Sequence, residues 1–253
     1  MRSRTRARGA QLSPLWGRVL SVFAGGSVFT ASRYTVDGVS GKVASYTDWL
    51  DGAHTIAQAT AANQHAVPAA DATLGGNLVA TIPNTTAIYT SSRAASAWRY
   101  VHDGTGVSEF HVFYVVSATT SYYATTEGGG AGVGGGLGVT TGPVVLIRWR
   151  TTAGAGLISQ SLGALALNAW GTWRFTYLNG GSPEWALYTN GALGGSGSDG
   201  STPNSGDPNS TMQLFRGTPA NTKWFFSGFA PRVFNASDVA MINRYMSGIG
   251  LVA

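Results

Sequence analysis

Carboxylates and histidines are where hydrolytic chemistry would show. Cleavage of a glycosidic bond needs two carboxyl groups facing each other across the sugar, ~5–9 Å apart. On a strand, that requirement shows as acids at alternate positions. The chain has three glutamates, Glu109, Glu127 and Glu184, and each stands alone. Asp48 and Asp51 are three apart beside a turn, which does not place them on one strand face. His102 and Asp103 are adjacent, but no serine sits in a Gly-x-Ser-x-Gly elbow, so the pair reads as a turn. The four histidines show no His-x-His or His-x-x-x-His spacing. His111 lies inside the apolar run Phe110–Val116 and reads as a satisfied core histidine. There is no cysteine, which excludes disulfides and thiolate metal sites. Gly130, Gly132 and Gly135 match G-x-G-x-x-G, but a proline and more glycine follow where a dinucleotide site needs a helix. The expectation is a protein without catalytic residues, metal ligands or cofactor.

Binding by contact remains. Sugars stack on aromatic faces, and Trp98, Tyr100, Tyr122, Tyr123, Trp185 and Tyr188 are candidates by type. Trp98, Tyr122, Tyr123 and Trp185 are taken as the glycan-contacting set. The competing reading is that tryptophans in a β-rich chain fill the core. Tyr122 and Tyr123 are neighbours on a strand, so one of them faces outward. A second surface is basic. Arg2, Arg4, Arg6, Arg8 and Arg18 fall in the first 18 residues, which hold no acid, and the remaining eleven basic residues balance the eleven acidic ones. Residues 1–26 therefore read as a basic arm that anchors the body to a partner through these arginines and Trp16. Alternating arginines without interleaved aromatics favour a protein partner over nucleic acid. A secretory leader is the rival reading, weakened because Arg18 interrupts a short apolar run.

The elements that must position these side chains are strands. Charged residues make up only 11% of the 253 residues, apolar ones 43%, and there are 36 glycines. That composition favours pleated surfaces and tight turns. No uninterrupted apolar stretch reaches ~18 residues, so no membrane span is expected. The centre is Trp170–Gly191. Trp173, Phe175 and Tyr177 point one way, Thr172, Arg174 and Thr176 the other, and Asn190-Gly191 predicts a type I′ turn. Phe110–Val116 predicts a central strand covered on both faces. Residues 127–142 and 194–209 read as loops. Asn235 and Asp238 predict the start of a closing helix that carries Val239, Ile242 and Met246. About a dozen short strands at ~8–12-residue intervals predict an all-β, two-sheet antiparallel β-sandwich.

The order of several segments resembles a known family. A strand over Val43–Trp49 contains Asp48, followed by "His…Gln-Ala-Thr-Ala-Ala-Asn-Gln…Pro" from His54 to Pro68, then Gly75-Gly76 and a short strand. Later come the central Trp-containing hairpin and a last strand, Phe226–Phe234, before a short helix. Over residues 28–250 this is similar to LamG-like, concanavalin A-type jelly-roll domains of phage virion and bacterial surface proteins. The chain departs from that pattern at Trp49-Leu-Asp-Gly-Ala-His54, where the loop is shortened. The resemblance implies a jelly roll over 27–253 and an accessory role in a tailed-phage virion, as a capsid decoration or fibre-type module. Partners would be capsid or tail proteins through the arm and host-surface glycans through the body, in a homo-oligomer that no heptad specifies. The alternative it leaves open is a secreted or surface-attached bacterial carbohydrate-binding module. A structural calcium ion is compatible with the family, but no acid cluster names its ligands.

Overall fold

A computed structural model of the chain describes residues 14–127, 133–142, 144–150, 157–198, 203 and 206–251. In order, the elements are α1 (Pro14–Val22), β1 (Ser27–Thr30), β2 (Tyr34–Val36), β3 (Val43–Thr47), β4 (Thr55–Ala57), β5 (Ala69–Asp71), β6 (Asn77–Thr81), β7 (Tyr89–Ser91) and β8 (Val107–Val115). There follow β9 (Ser121–Thr125), β10 (Gly135–Val139), β11 (Val144–Arg150), β12 (Leu157–Ala164), β13 (Ala169–Tyr177) and β14 (Trp185–Thr189). The chain ends with β15 (Ala192–Gly197), β16 (Gln213–Arg216), β17 (Lys223–Ala230) and α2 (Ala236–Gly248).

Two antiparallel sheets form a sandwich. One runs β15-β14-β13-β8-β17-β6-β5, with β1 also pairing to β17; the other runs β12-β11-β10-β9-β16-β7-β4-β3-β2. Alternation decides what lies between them. Trp173, Phe175 and Tyr177 of β13 point inward with Phe113 of β8, and they meet Tyr123, Leu137 and Phe215 from the opposing sheet. Asn190 and Gly191 both take positive φ, 48° and 77°, as a type I′ turn requires.

The odd residues of β8 face this core, while Phe110 and Val112 face outward into a second one. Helices α1 and α2 cover that outer face and bury Trp16, Val19, Phe23, Ile242, Tyr245 and Met246 against Phe110 and Phe226. Gly228 makes room for Phe23, because a Cβ there would lie 2.5 Å from the Phe23 ring. Asn235 and Asp238 form the expected capping box on α2. Arg232 pairs with Asp238 and donates from Nη2 to the Val22 carbonyl at 2.8 Å, so one guanidinium ties the end of α1 to the start of α2.

Three expectations meet a different arrangement. Residues 14–26 do not extend away from the body: Trp16 is 3% exposed and packs edge-on against Trp49 and Phe226. Its spacing to Val19, Val22 and Phe23 is that of an amphipathic helix. The glycine run also enters the fold, for Gly135–Val139 is strand β10 inside the second sheet. Glycine is needed at 138, where a Cβ would sit 2.0 Å from the Ser121 carbonyl oxygen. Likewise Ala192–Gly197, read partly as loop, pairs with β14.

Candidate functional site

Two strings of acid, imidazole and hydroxyl run through the interior. In the first, Asp48 Oδ2 lies 2.8 Å from His54 Nδ1, and His54 Nε2 lies 2.9 Å from Ser91 Oγ. The order is that of an acyl-transfer triad, but the surroundings differ. The His54 and Asp48 side chains are 0% exposed. Ser91 Oγ accepts N–H bonds from Arg93 and from the Trp98 indole, both at 3.1 Å, so its lone pairs are occupied and its proton is directed at His54 Nε2. Asp48 Oδ1 accepts the backbone N–H groups of Val28 and Leu50. The string clamps β1, β3 and β7 together. The second string is Glu109 Oε2 to His111 Nε2 at 3.1 Å and His111 Nδ1 to Ser227 Oγ at 3.0 Å, where Ser227 also accepts from Trp224 Nε1. It is equally enclosed. His111 is thus a satisfied core histidine. His102 and Asp103 do not pair: His102 Nε2 meets the Gly206 carbonyl, and Asp103 accepts from Thr105 in a turn.

The open polar chemistry lies on the outer face of the first sheet, beside the helices. Thr176 and Arg174 of β13 stand in register with Ala186 and Tyr188 of β14, and these two cross-strand pairs form the floor of a cleft. Pro183 also lines it, and Val233 and Phe234 of the segment leading into α2, with Val239 on α2 itself, supply apolar side chains. The cleft measures about 230 Å³. That is below the roughly 300–1,000 Å³ that encloses a drug-sized ligand, and suits a single ring.

Arg174 dominates it. Its guanidinium lies 3.9 Å from the centre of the Tyr188 ring, a cation–π contact. Burial pulls its pKa down, while Tyr188 acts in the opposite direction. The acids beside the lining residues Pro183 and Val239 are committed elsewhere: Glu184 accepts the Gly180 N–H, and Asp238 pairs with Arg232. Among the described residues, no carboxylate forms an ion pair with Arg174. The lining residues hold no acid, so no pair of carboxylates spans the cleft.

The expected glycan-contacting set falls mostly elsewhere. Trp98 is fully buried against Phe229. Tyr123 is fully buried between Phe113 and Trp173, at 4.4 and 5.0 Å between ring centres. Trp185 is 7% exposed and faces the core. Strand parity turns Tyr123 and Trp185 inward, and a 3-10 turn over Ala95–Val101 buries Trp98, so these three rings have no face to offer a sugar. Tyr122 alone of the four is partly exposed; it lies on the other sheet, in register with Gly138 and Arg216. Arg18 is exposed on α1, whereas Arg2, Arg4, Arg6 and Arg8 lie outside the described residues. Tyr188 is brought into the cleft. Arg174 and Thr176 were legible as outward-facing residues, but their partners were not, because seven residues separate β13 from β14 and leave the register open.

Among the described residues, no helix is long and apolar enough to cross a membrane, and no group of three or more His, Asp or Glu could hold a metal ion. No protein-family model and no curated protein matches the chain. Solved structures do. A Trypanosoma rangeli sialidase in complex with the inhibitor DANA aligns with a TM-score of 0.54 at 10% identity, over 85% of this chain and 32% of that one. Another T. rangeli sialidase structure gives 0.53 at 12% identity, over 92% and 37%. The Ruminococcus gnavus IT-sialidase CBM40 gives 0.50 at 15% identity, over 64% and 94%. The chain spans about a third of the length of the sialidases it matches. None of these three likenesses is to a LamG-like or virion protein. At such identities they show a shared β-sandwich fold.

Proposed function

We propose that the chain is a non-catalytic carbohydrate-binding module that holds one sugar ring of a glycan in the β13–β14 cleft. The observation that carries this reading is the cleft itself. An aromatic ring, a guanidinium and a threonine hydroxyl converge on a space of ring size, with apolar side chains opposite. A pyranose has the same two characters, hydroxyls at its edge and C–H groups on its faces. Hydrolysis is disfavoured because no lining residue is an acid. The likeness to a CBM40 from a sialidase favours the same kind of role, and with it a place outside the cell or on its surface. Attachment to capsid or tail proteins through the basic segment has no comparable support.

A glycan array probed with the full chain, followed by a reducing-sugar assay on the best ligand, tests this. Saturable binding without sugar release is expected, and it should weaken in Tyr188→Leu. Release of reducing sugar, or binding indifferent to Tyr188, would contradict it.

A further inference from the structure

Resting on that reading, we infer that the cleft selects a sugar bearing a carboxylate, with Arg174 as the residue that sets this specificity. A charged group withdrawn from water is costly unless paired. Two other cations on this side of the molecule are paired: Arg232 with Asp238, and Lys223 with Asp71 at 2.9 Å. Arg174 is half-buried in the cleft, where Tyr188 supplies a ring face and a side-chain hydrogen bond and where, among the described residues, no carboxylate pairs with it. A guanidinium carries five N–H donors, and the bond to Tyr188 leaves the others for a ligand. A planar fork of donors matches the two oxygens of a carboxylate in a way no single hydroxyl does.

The rest of the cleft fits the remainder of such a sugar. Thr176 lies two residues along β13 on the same face, ~6.6 Å from Arg174 along the strand, within reach of a ring hydroxyl. Val233, Phe234 and Val239 would face the C–H surface or an acyl methyl. A neutral sugar would leave the guanidinium without a counter-charge and would cover it from water. The same cleft should therefore discriminate against neutral glycans, not merely tolerate acidic ones.

The test titrates the full chain with D-glucuronate and N-acetylneuraminate, with the methyl ester of each acid, and with methyl glucoside as the neutral control. Changing the ligand instead of the protein keeps the experiment valid should an Arg174 variant fail to fold. The acids should bind at least about tenfold tighter than their esters. Arg174→Gln should abolish that ratio, and Arg174→Lys, which keeps the charge but loses the fork, should recover only part of it. Equal affinity for acid and ester would overturn the carboxylate assignment and leave the glycan reading intact. Failure of every sugar to bind would remove both. Preference for a peptide with a free C-terminal carboxylate over either acid sugar would also overturn it, since the anion would then belong to another class of ligand.

Discussion

The interior of the sandwich and the cleft on its flank hold similar side chains in opposite conditions. Inside, Asp48, His54 and Ser91 form the sequence of groups that cleaves esters in other settings, yet each has its partners within the chain. In the cleft, Arg174 has a ring beneath it and no anion. The closed string stabilises the fold, whereas the cation without a carboxylate partner is the group we assign to a ligand. An inventory of reactive residue types points to the first and passes over the second. What separates them is whether each donor and acceptor is already used.

Substitutions should sort by region. The largest effect is expected at the closed string. Asp48→Ala removes the acceptor of the Val28 and Leu50 N–H groups and leaves His54 Nδ1 only the longer contact to Ser27 Oγ at 3.3 Å, and should cost about 3–5 kcal/mol in urea unfolding. A loss under 1 kcal/mol would mean that the string is not a clamp.

His65 sharpens the interior side through pH. Its Nδ1 meets the Tyr46 hydroxyl at 2.8 Å, and burial pulls its pKa to about 3, well below its ordinary value of 6.5. Between those limits the unfolded chain binds a proton that the folded chain refuses. The contribution of His65 is complete above about pH 6.5 and is lost as pH falls toward 3, at up to ~1.4 kcal/mol per pH unit. Stability of His65→Gln measured over the same window should fall less steeply than that of the parent chain.

The cleft should behave the other way. Arg174→Ala should shift stability by no more than ~0.5–1 kcal/mol and reduce glycan affinity by about tenfold or more. Tyr188→Leu removes the stacking partner and should cost about 0.5–2 kcal/mol of binding, read by calorimetry, again with little effect on unfolding. A cleft variant that unfolds the chain, or an Asp48 variant that folds well but loses the glycan, would reverse the division.

Elements governed by local rules were legible in the sequence. The alternation of Trp173, Arg174 and Phe175, the Asn190-Gly191 turn and the Asn235–Asp238 cap each depend on residues within one turn of chain, and each is present. Features decided by distant contacts were not. β10 carries almost no side chains to show a period, and its glycines answer to the Ser121 backbone on another strand. The helix holding Trp16 was obscured by the arginines before it, although Trp16, Val19 and Val22 keep helical spacing. Trp98, Tyr123 and Trp185 have the residue types of a sugar platform, but strand parity turns the last two inward and a 3-10 turn buries the first. The cleft joins β13 and β14 to Phe234 and Val239, which lie some fifty residues further along the chain. Only the fold brings them together.

The most direct test is to map where an acidic sugar lands. Titration of isotopically labelled full-length chain with N-acetylneuraminate, followed by NMR, should shift the signals of Arg174, Thr176, Tyr188 and Val239 together, with one saturation curve and no change around His54 or His111. Shifts centred on Tyr122 and Arg216 of the opposite sheet, with the cleft silent, would contradict the account.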